Sequence, residues 1–155
     1  MDAITSKKRT LTILQENGQT VKCAREHLQV SRKAVIDAVR RHGRALYYAS
    51  PRLQADREVV LTAVQQNGMA LKYASDDLCA DREVVLTAVR QCGSALMQAS
   101  SDLRADREVV LAAVQQNAWA LQYADETLRQ DERFVAELAG AVSYTHLTLP
   151  TICSV

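Results

Sequence analysis

Between Arg57 and Gln66 the apolar positions of the chain fall at helical spacing. At about 100° per residue, Val60, Ala63 and Val64 form a stripe flanked by Val59 and Leu61, while Glu58, Thr62, Gln65 and Gln66 face the other way. The apolar face covers roughly half the circumference, more than a surface helix needs against a single neighbour. The pattern therefore predicts a helix that meets two neighbours, one in its own unit and one in the next. The following stretch, MALKYASDDL, places Ala70, Leu71, Ala74 and Leu78 at a spacing that predicts a short helix and then a tight polar turn.

The whole pattern recurs. The segment DREVVL begins at Asp56, Asp81 and Asp106, and in the same 25-residue frame further units open at Ser6, Ser31 and Asp131, giving five full copies and the start of a sixth. A fixed period of this length is the signature of stacked supersecondary units, each too small to close a core alone. The expected architecture is all-α, an α-solenoid of two-helix repeats over residues 1–141.

Local signals set the expected boundaries. Each unit opens on Ser or Asp, whose side-chain oxygen can cap the free N–H groups of a first helical turn, and Glu58, Glu83 and Glu108 add negative charge at the positive end of the dipole. Gly18, Gly43, Gly68 and Gly93 stand thirteenth in their units, where a left-handed residue would end an eleven-residue helix such as 57–67. Ala118 takes that place in the fifth unit, which predicts a strained cap or a different helix end there. The small alanines at fixed places predict close helix approach.

The copies DREVVLTAVQQNGMALKYASDDLCA and DREVVLAAVQQNAWALQYADETLRQ resemble the tandem repeats grouped as domain of unknown function 4116. The resemblance is strong over Asp56–Gln130 and looser over Ser6–Ala55, where SRKAVIDAVRRHGRALYYASPRLQA keeps the frame without the DRE opening. It implies the repeat fold and supplies no activity, cofactor or catalytic residue.

After Gly140 the helical pattern stops, and VSYTHLTLPTICSV carries no charge and has no counterpart in the repeats. Written as GTC TCT TAT ACA CAT CTG ACG CTG CCG ACG, residues 142–151 match the reverse complement of a transposase-type sequencing adapter. Residues 142–155 are accordingly expected to be a non-native tail, and the natural protein to be a longer one cut early in its sixth repeat. A genuine edge strand is the alternative.

Charge divides the chain. Residues 1–55 hold 11 Lys and Arg against 4 Asp and Glu, while residues 56–155 hold 8 against 14. No apolar run approaches the roughly 20 residues of a membrane helix, and the first ten residues lack a secretory core, so an intracellular, cytoplasmic protein without a membrane contact is expected. Cys23, Cys79, Cys92 and Cys153 form no CxxC pair and read as isolated reduced thiols.

Candidate chemistry is sparse. The glycines follow the repeat rather than a phosphate loop, and His27 and His42 stand at no metal-ligand spacing. Turn and cap roles account for the carboxylates, and Arg57, Arg82 and Arg107 could form a ladder with acids of adjacent units. No catalytic residue, cofactor or metal is expected, and the chain reads as no enzyme.

Surface recognition remains. Two slots three residues apart on the short helix differ from copy to copy: Gln19, Arg44, Met69, Ser94 and Trp119 in one, Lys22, Tyr47, Lys72, Met97 and Gln122 in the other. Stacking would align them as a band, and Arg44, Tyr47, Met69, Lys72, Met97, Trp119 and Gln122 are the candidate contacts for an unknown protein or peptide. Drift without function, or burial by a neighbouring repeat, is the competing account. Tyr48, Tyr73 and Tyr123 share another slot and read as half-buried packing residues. A second functional reading is polyanion or nucleic-acid binding through Lys7, Lys8, Arg9, Lys33, Arg40, Arg41 and Arg44, although Arg40, Arg41 and Arg44 lie where a helix C-terminus favours cations anyway. A third is a repeat arm of an enzyme whose catalytic domain lies beyond the sequence.

Overall fold

The computed structural model describes residues 32–143 and is helical, with no strand among the described residues. It stacks the 25-residue units as expected. Long helices Arg32–Arg41, Arg57–Gln66, Arg82–Gln91 and Arg107–Gln116 pack each against the next, forming one layer. The second halves, Gly43–Tyr48, Gly68–Tyr73, Gly93–Gln98 and Ala118–Tyr123, form a second layer and also pack each against the next. Between the layers runs a continuous core in which Val59, Val60, Ala63 and Val64, and their equivalents Val84, Val85, Ala88 and Val89, are fully buried. No described helix is long and apolar enough to cross a membrane.

Each unit has three helical pieces rather than two. The second half is a 3-10 helix, and the expected polar turn is a single α-helical turn: Pro51–Gln54, Asp76–Cys79, Ser101–Arg104 and, slightly longer, Glu126–Gln130. A 3-10 helix turns every three residues, so side chains three apart stand directly over one another.

The helix starts follow the sequence signals. Asp56, Asp81 and Asp106 each accept from the N–H groups two and three residues on, Glu58 and Val59, Glu83 and Val84, Glu108 and Val109. The helix ends do not. The Arg57 helix stops at Gln66, one residue short of expectation, and Asn67 is extended, with φ −151° and ψ 108°. No described glycine has positive φ.

Close packing, not a left-handed cap, explains the glycines. A Cβ on Gly43 would lie 2.5 Å from the carbonyl oxygen of Ala63 in the next unit, and Gly68 and Gly93 face Ala88 and Ala113 in the same way. Ala118 needs neither strain nor a new helix end: its unit keeps the extended Asn117, φ −151° and ψ 112°, and the Ala118 side chain is exposed. The long helix Glu132–Ser143 packs on the Arg107–Gln116 and Glu126–Gln130 helices instead of closing over Ala118. That helix also runs past Gly140, where the sequence pattern ended. Phe134 is fully buried in the slot held elsewhere by Val59, Val84 and Val109, as its position predicts.

Three rows of polar contacts tie neighbouring units. Arg32, Arg57 and Arg82 each reach two carboxylates of the next unit: Asp56 and Glu58, Asp81 and Glu83, Asp106 and Glu108. Arg107 reaches Asp131 at 3.2 Å and stacks over the Phe134 ring at 5.4 Å. The expected arginine ladder is therefore present. In a second row, the N–H groups of Gly43, Gly68 and Gly93 donate to the side-chain oxygens of Gln66, Gln91 and Gln116, at 2.6, 2.5 and 2.6 Å. The third is backbone to backbone: Ser75, Ser100 and Asp125 donate to the carbonyls of Gln54, Cys79 and Arg104 at 3.0, 2.9 and 2.9 Å.

Candidate functional site

The 3-10 layer carries the variable band, and its geometry begins with the residue before each helix. Asn67 and Asn117 accept from the backbone N–H groups of Met69 and Trp119, both at 3.0 Å, which fixes the first band position relative to the core. In the intervening unit Cys92 replaces the asparagine and makes no such cap. The apolar side of each 3-10 helix is anchored by a leucine–alanine pair. Ala70 with Leu71 and Ala95 with Leu96 are fully buried, and Lys72 and Met97, which follow the two pairs, are exposed.

Of the seven candidate contacts, six are exposed: Arg44, Tyr47, Lys72, Met97, Trp119 and Gln122. Met69 is half-buried and packs against the core, which makes it the weakest member. Four large apolar residues stand exposed among the described residues, and three lie on this band: Tyr47 at 48%, Met97 at 46% and Trp119 at 65%. The fourth, Val135, lies on the Glu132–Ser143 helix.

Stacking of the units brings Tyr47 of one repeat to Tyr73 of the next, with ring centroids 5.2 Å apart, and Tyr48 meets Tyr47 edge to face at 4.9 Å. The Lys72 ammonium sits 4.9 Å from the Tyr73 ring. Tyr48, Tyr73 and Tyr123 are half-buried, as their shared slot predicts. Arg44 stands one 3-10 turn from Tyr47, so Arg44, Tyr47, Tyr73 and Lys72 make one cluster of cations and rings across two repeats.

The second set of candidates is less coherent. Lys7, Lys8 and Arg9 lie outside the described residues, as do Gln19 and Lys22. Lys33, Arg40, Arg41 and Arg44 are exposed, but Lys33 stands at the start of the Arg32–Arg41 helix and Arg40 and Arg41 end it, separated by about 10 Å of helix rise. Arg40 is also 4.0 Å from Asp37.

The carboxyls and the thiol whose titration is shifted owe the shift to structural contacts. Hydrogen bonds from Arg32 and Arg57 hold the carboxyls of Asp56 and Asp81 below the ordinary aspartate range, helped by the capped N–H groups and opposed by partial burial. For Asp106 burial is the largest influence and pushes up, but the Val109 N–H, Arg82 and the Glu108 N–H together outweigh it. Asp125 is lowered by Thr127, which donates through both its hydroxyl and its backbone N–H. Burial, followed by the charge of Asp76, pushes the Cys79 thiol up, so it is held protonated and its hydrogen points at the Leu71 carbonyl at 3.6 Å. Cys92 is disulfide-bonded, which corrects the expectation of isolated thiols for that residue.

The glutamine row was missed by sequence reasoning, which placed Gln66 on the solvent side only. A signal existed: Gln66, Gln91 and Gln116 are identical while the preceding slot changes from Gln65 to Arg90 to Gln115.

A family model described as Domain of unknown function (DUF4116) matches residues 31–79, 56–104, 81–129 and 106–138, overlapping stretches that cover more than half of the chain. No curated protein and no solved structure matches the chain. The chain belongs to the DUF4116 family, and its tandem matches follow the 25-residue step of the stack.

Proposed function

We propose that the chain is a non-enzymatic scaffold that holds a protein or peptide partner along the outer face of its 3-10 layer. The observation that carries this reading is the placement of Tyr47, Met97 and Trp119, all exposed, in two slots that the stack aligns across consecutive repeats. Aromatic and methionine side chains are favoured at binding hot spots, and a lone apolar residue on a surface means little where an aligned series means more. A binding role rather than catalysis is supported by how the titratable groups are used. The carboxylates and guanidinium groups with shifted titration serve the caps and the arginine ladder.

The test is affinity capture with the full chain beside a Trp119→Ala, Met97→Ala variant, with partners identified by mass spectrometry and both proteins checked for equal thermal stability. Loss of the same partners from the variant is expected. A variant that retains every partner would remove the band as the binding face. Capture of nucleic acid instead, weakened by rising salt and by charge reversal at Lys33, Arg40 and Arg41, would favour the polyanion reading.

A further inference from the structure

Charge along the band points to the chemistry of its occupant. The described band positions are Arg44, Met69, Ser94 and Trp119 in one row and Tyr47, Lys72, Met97 and Gln122 in the other, with two cations and no carboxylate. Elsewhere the stack neutralises its repeated arginines: Arg32, Arg57, Arg82 and Arg107 each meet a carboxylate of the next unit. Arg44 and Lys72 meet none among the described residues. Lys72 sits against the Tyr73 ring and Arg44 lies one 3-10 turn from Tyr47, so an occupant that covers Tyr47 and Tyr73 also strips water from the two cations. Desolvated cations are costly unless the occupant brings charge of opposite sign.

The two ends of the band differ. Cations cluster with Tyr47 and Tyr73 in the repeats starting at Ser31 and Asp56, whereas Met97 and Trp119 supply neutral apolar surface in the repeats starting at Asp81 and Asp106. Exposed carboxylates Asp76, Asp77, Asp102 and Glu126 follow the 3-10 helices at the starts of the short α-helices. A dense polyanion laid along the whole band would run beside these acids and find cations at only one end. A peptide can place one or two carboxylates on the cations and an apolar side chain further along.

We propose that the band binds an extended peptide segment with Asp or Glu at one end, seated on Arg44 and Lys72, and an aromatic or large aliphatic anchor at the other, seated between Met97 and Trp119. This deepens the scaffold reading and rests on it. The order of the two features gives the peptide a direction on the stack.

Trp119 is the one tryptophan of the chain, so its emission reports occupancy of the anchor end directly. The experiment selects a randomised dodecapeptide display library on the full chain, then titrates synthetic copies of the enriched peptides while reading Trp119 fluorescence. Enriched peptides are expected to carry an acid several residues from an apolar anchor. Arg44→Glu with Lys72→Glu is expected to weaken them at least tenfold, and peptides with Lys in place of their acids should regain binding to that variant. Replacing the acids by Gln or Asn in the peptide tests the same contacts without altering the protein. Enrichment of neutral or basic peptides that still change Trp119 emission would overturn the acidic preference and leave the scaffold reading standing. No enriched peptide that perturbs Trp119 would overturn both. Quenching by oligothymidylate that the charge reversal abolishes would replace the peptide by a single-stranded nucleic acid.

Discussion

The backbone N–H of Gly68 donates to the side-chain oxygen of Gln91 across a repeat boundary, at 2.5 Å, and a Cβ at Gly68 would meet the Ala88 carbonyl beside it. One contact satisfies a donor at the start of the 3-10 helix, and the other leaves no room for a side chain. Together they set how closely one unit can approach the next.

Gly68→Ala should therefore destabilise the array by about 1 to 3 kcal/mol, because the obstacle is backbone of the following long helix and cannot rotate away. Ala118→Gly should change stability by less than about 1 kcal/mol, since Ala118 is exposed and no helix closes over it. Urea denaturation of both variants checks the pair. Equal costs at the two sites would show that the glycine slot is set by backbone conformation and not by the neighbour.

Gln91→Ala removes the acceptor while leaving the helix itself intact. A loss of about 1 to 3 kcal/mol is expected for the unpaired Gly68 N–H, moderated by whatever water reaches it. Gln91→Glu retains an acceptor and should recover most of the loss. Hydrogen exchange at the Gly68 amide measures the contact directly, with faster exchange in the alanine variant.

Acid should loosen the ladder. The folded carboxyls of Asp56, Asp81 and Asp106 titrate below their ordinary value of about 3.9, so their contribution is fully present above it and is lost as pH falls through the lower folded values. The melting temperature should drop as pH falls below about 4. Asp81→Asn keeps an N-cap acceptor but no charge, and should flatten that acid limb at a cost of up to about 1 kcal/mol at neutral pH, since Arg57 is about half exposed. Thermal melts from pH 2 to 7 in low and high salt decide the matter, and an unchanged limb in the variant would exclude Asp81 as a titrating contributor.

On the band, Trp119→Ala and Met97→Ala should leave the unfolding free energy, measured by urea denaturation, within about 0.5 kcal/mol of the parent, because both side chains are exposed. Ala95→Leu, one residue from the outward row but fully buried, should cost about 1 to 3 kcal/mol by overpacking. A large loss from the exposed pair would show that these residues serve packing and would remove the main support for a binding face.

The repeat, the long helices, their N-caps and their buried faces are all legible in the amino-acid order. These depend on residues within a few positions of one another: Asp81 caps Glu83 and Val84, and the Val84, Val85, Ala88 and Val89 stripe repeats at helical spacing. Even the arginine ladder was legible, because Arg57, Asp81 and Glu83 recur at a constant separation. The variable slots were legible too, as differences between copies, although half-burial of Met69 was not.

Tertiary structure alone decided the boundaries between units. Gly68 carries the same letter whether it caps a helix in a left-handed conformation or admits a neighbour's carbonyl, and only the position of Ala88 in the next unit selects the second. Gln91 looks like solvent-facing helix until the stack sets Gly68 against it. The 3-10 winding of Gly68–Tyr73, and with it the alignment of the band and the meeting of Tyr47 with Tyr73, likewise appears only once adjacent second halves pack together. In each case the deciding partner lies 20 or more residues away, and one helix's periodicity contains no term for the surface it will meet.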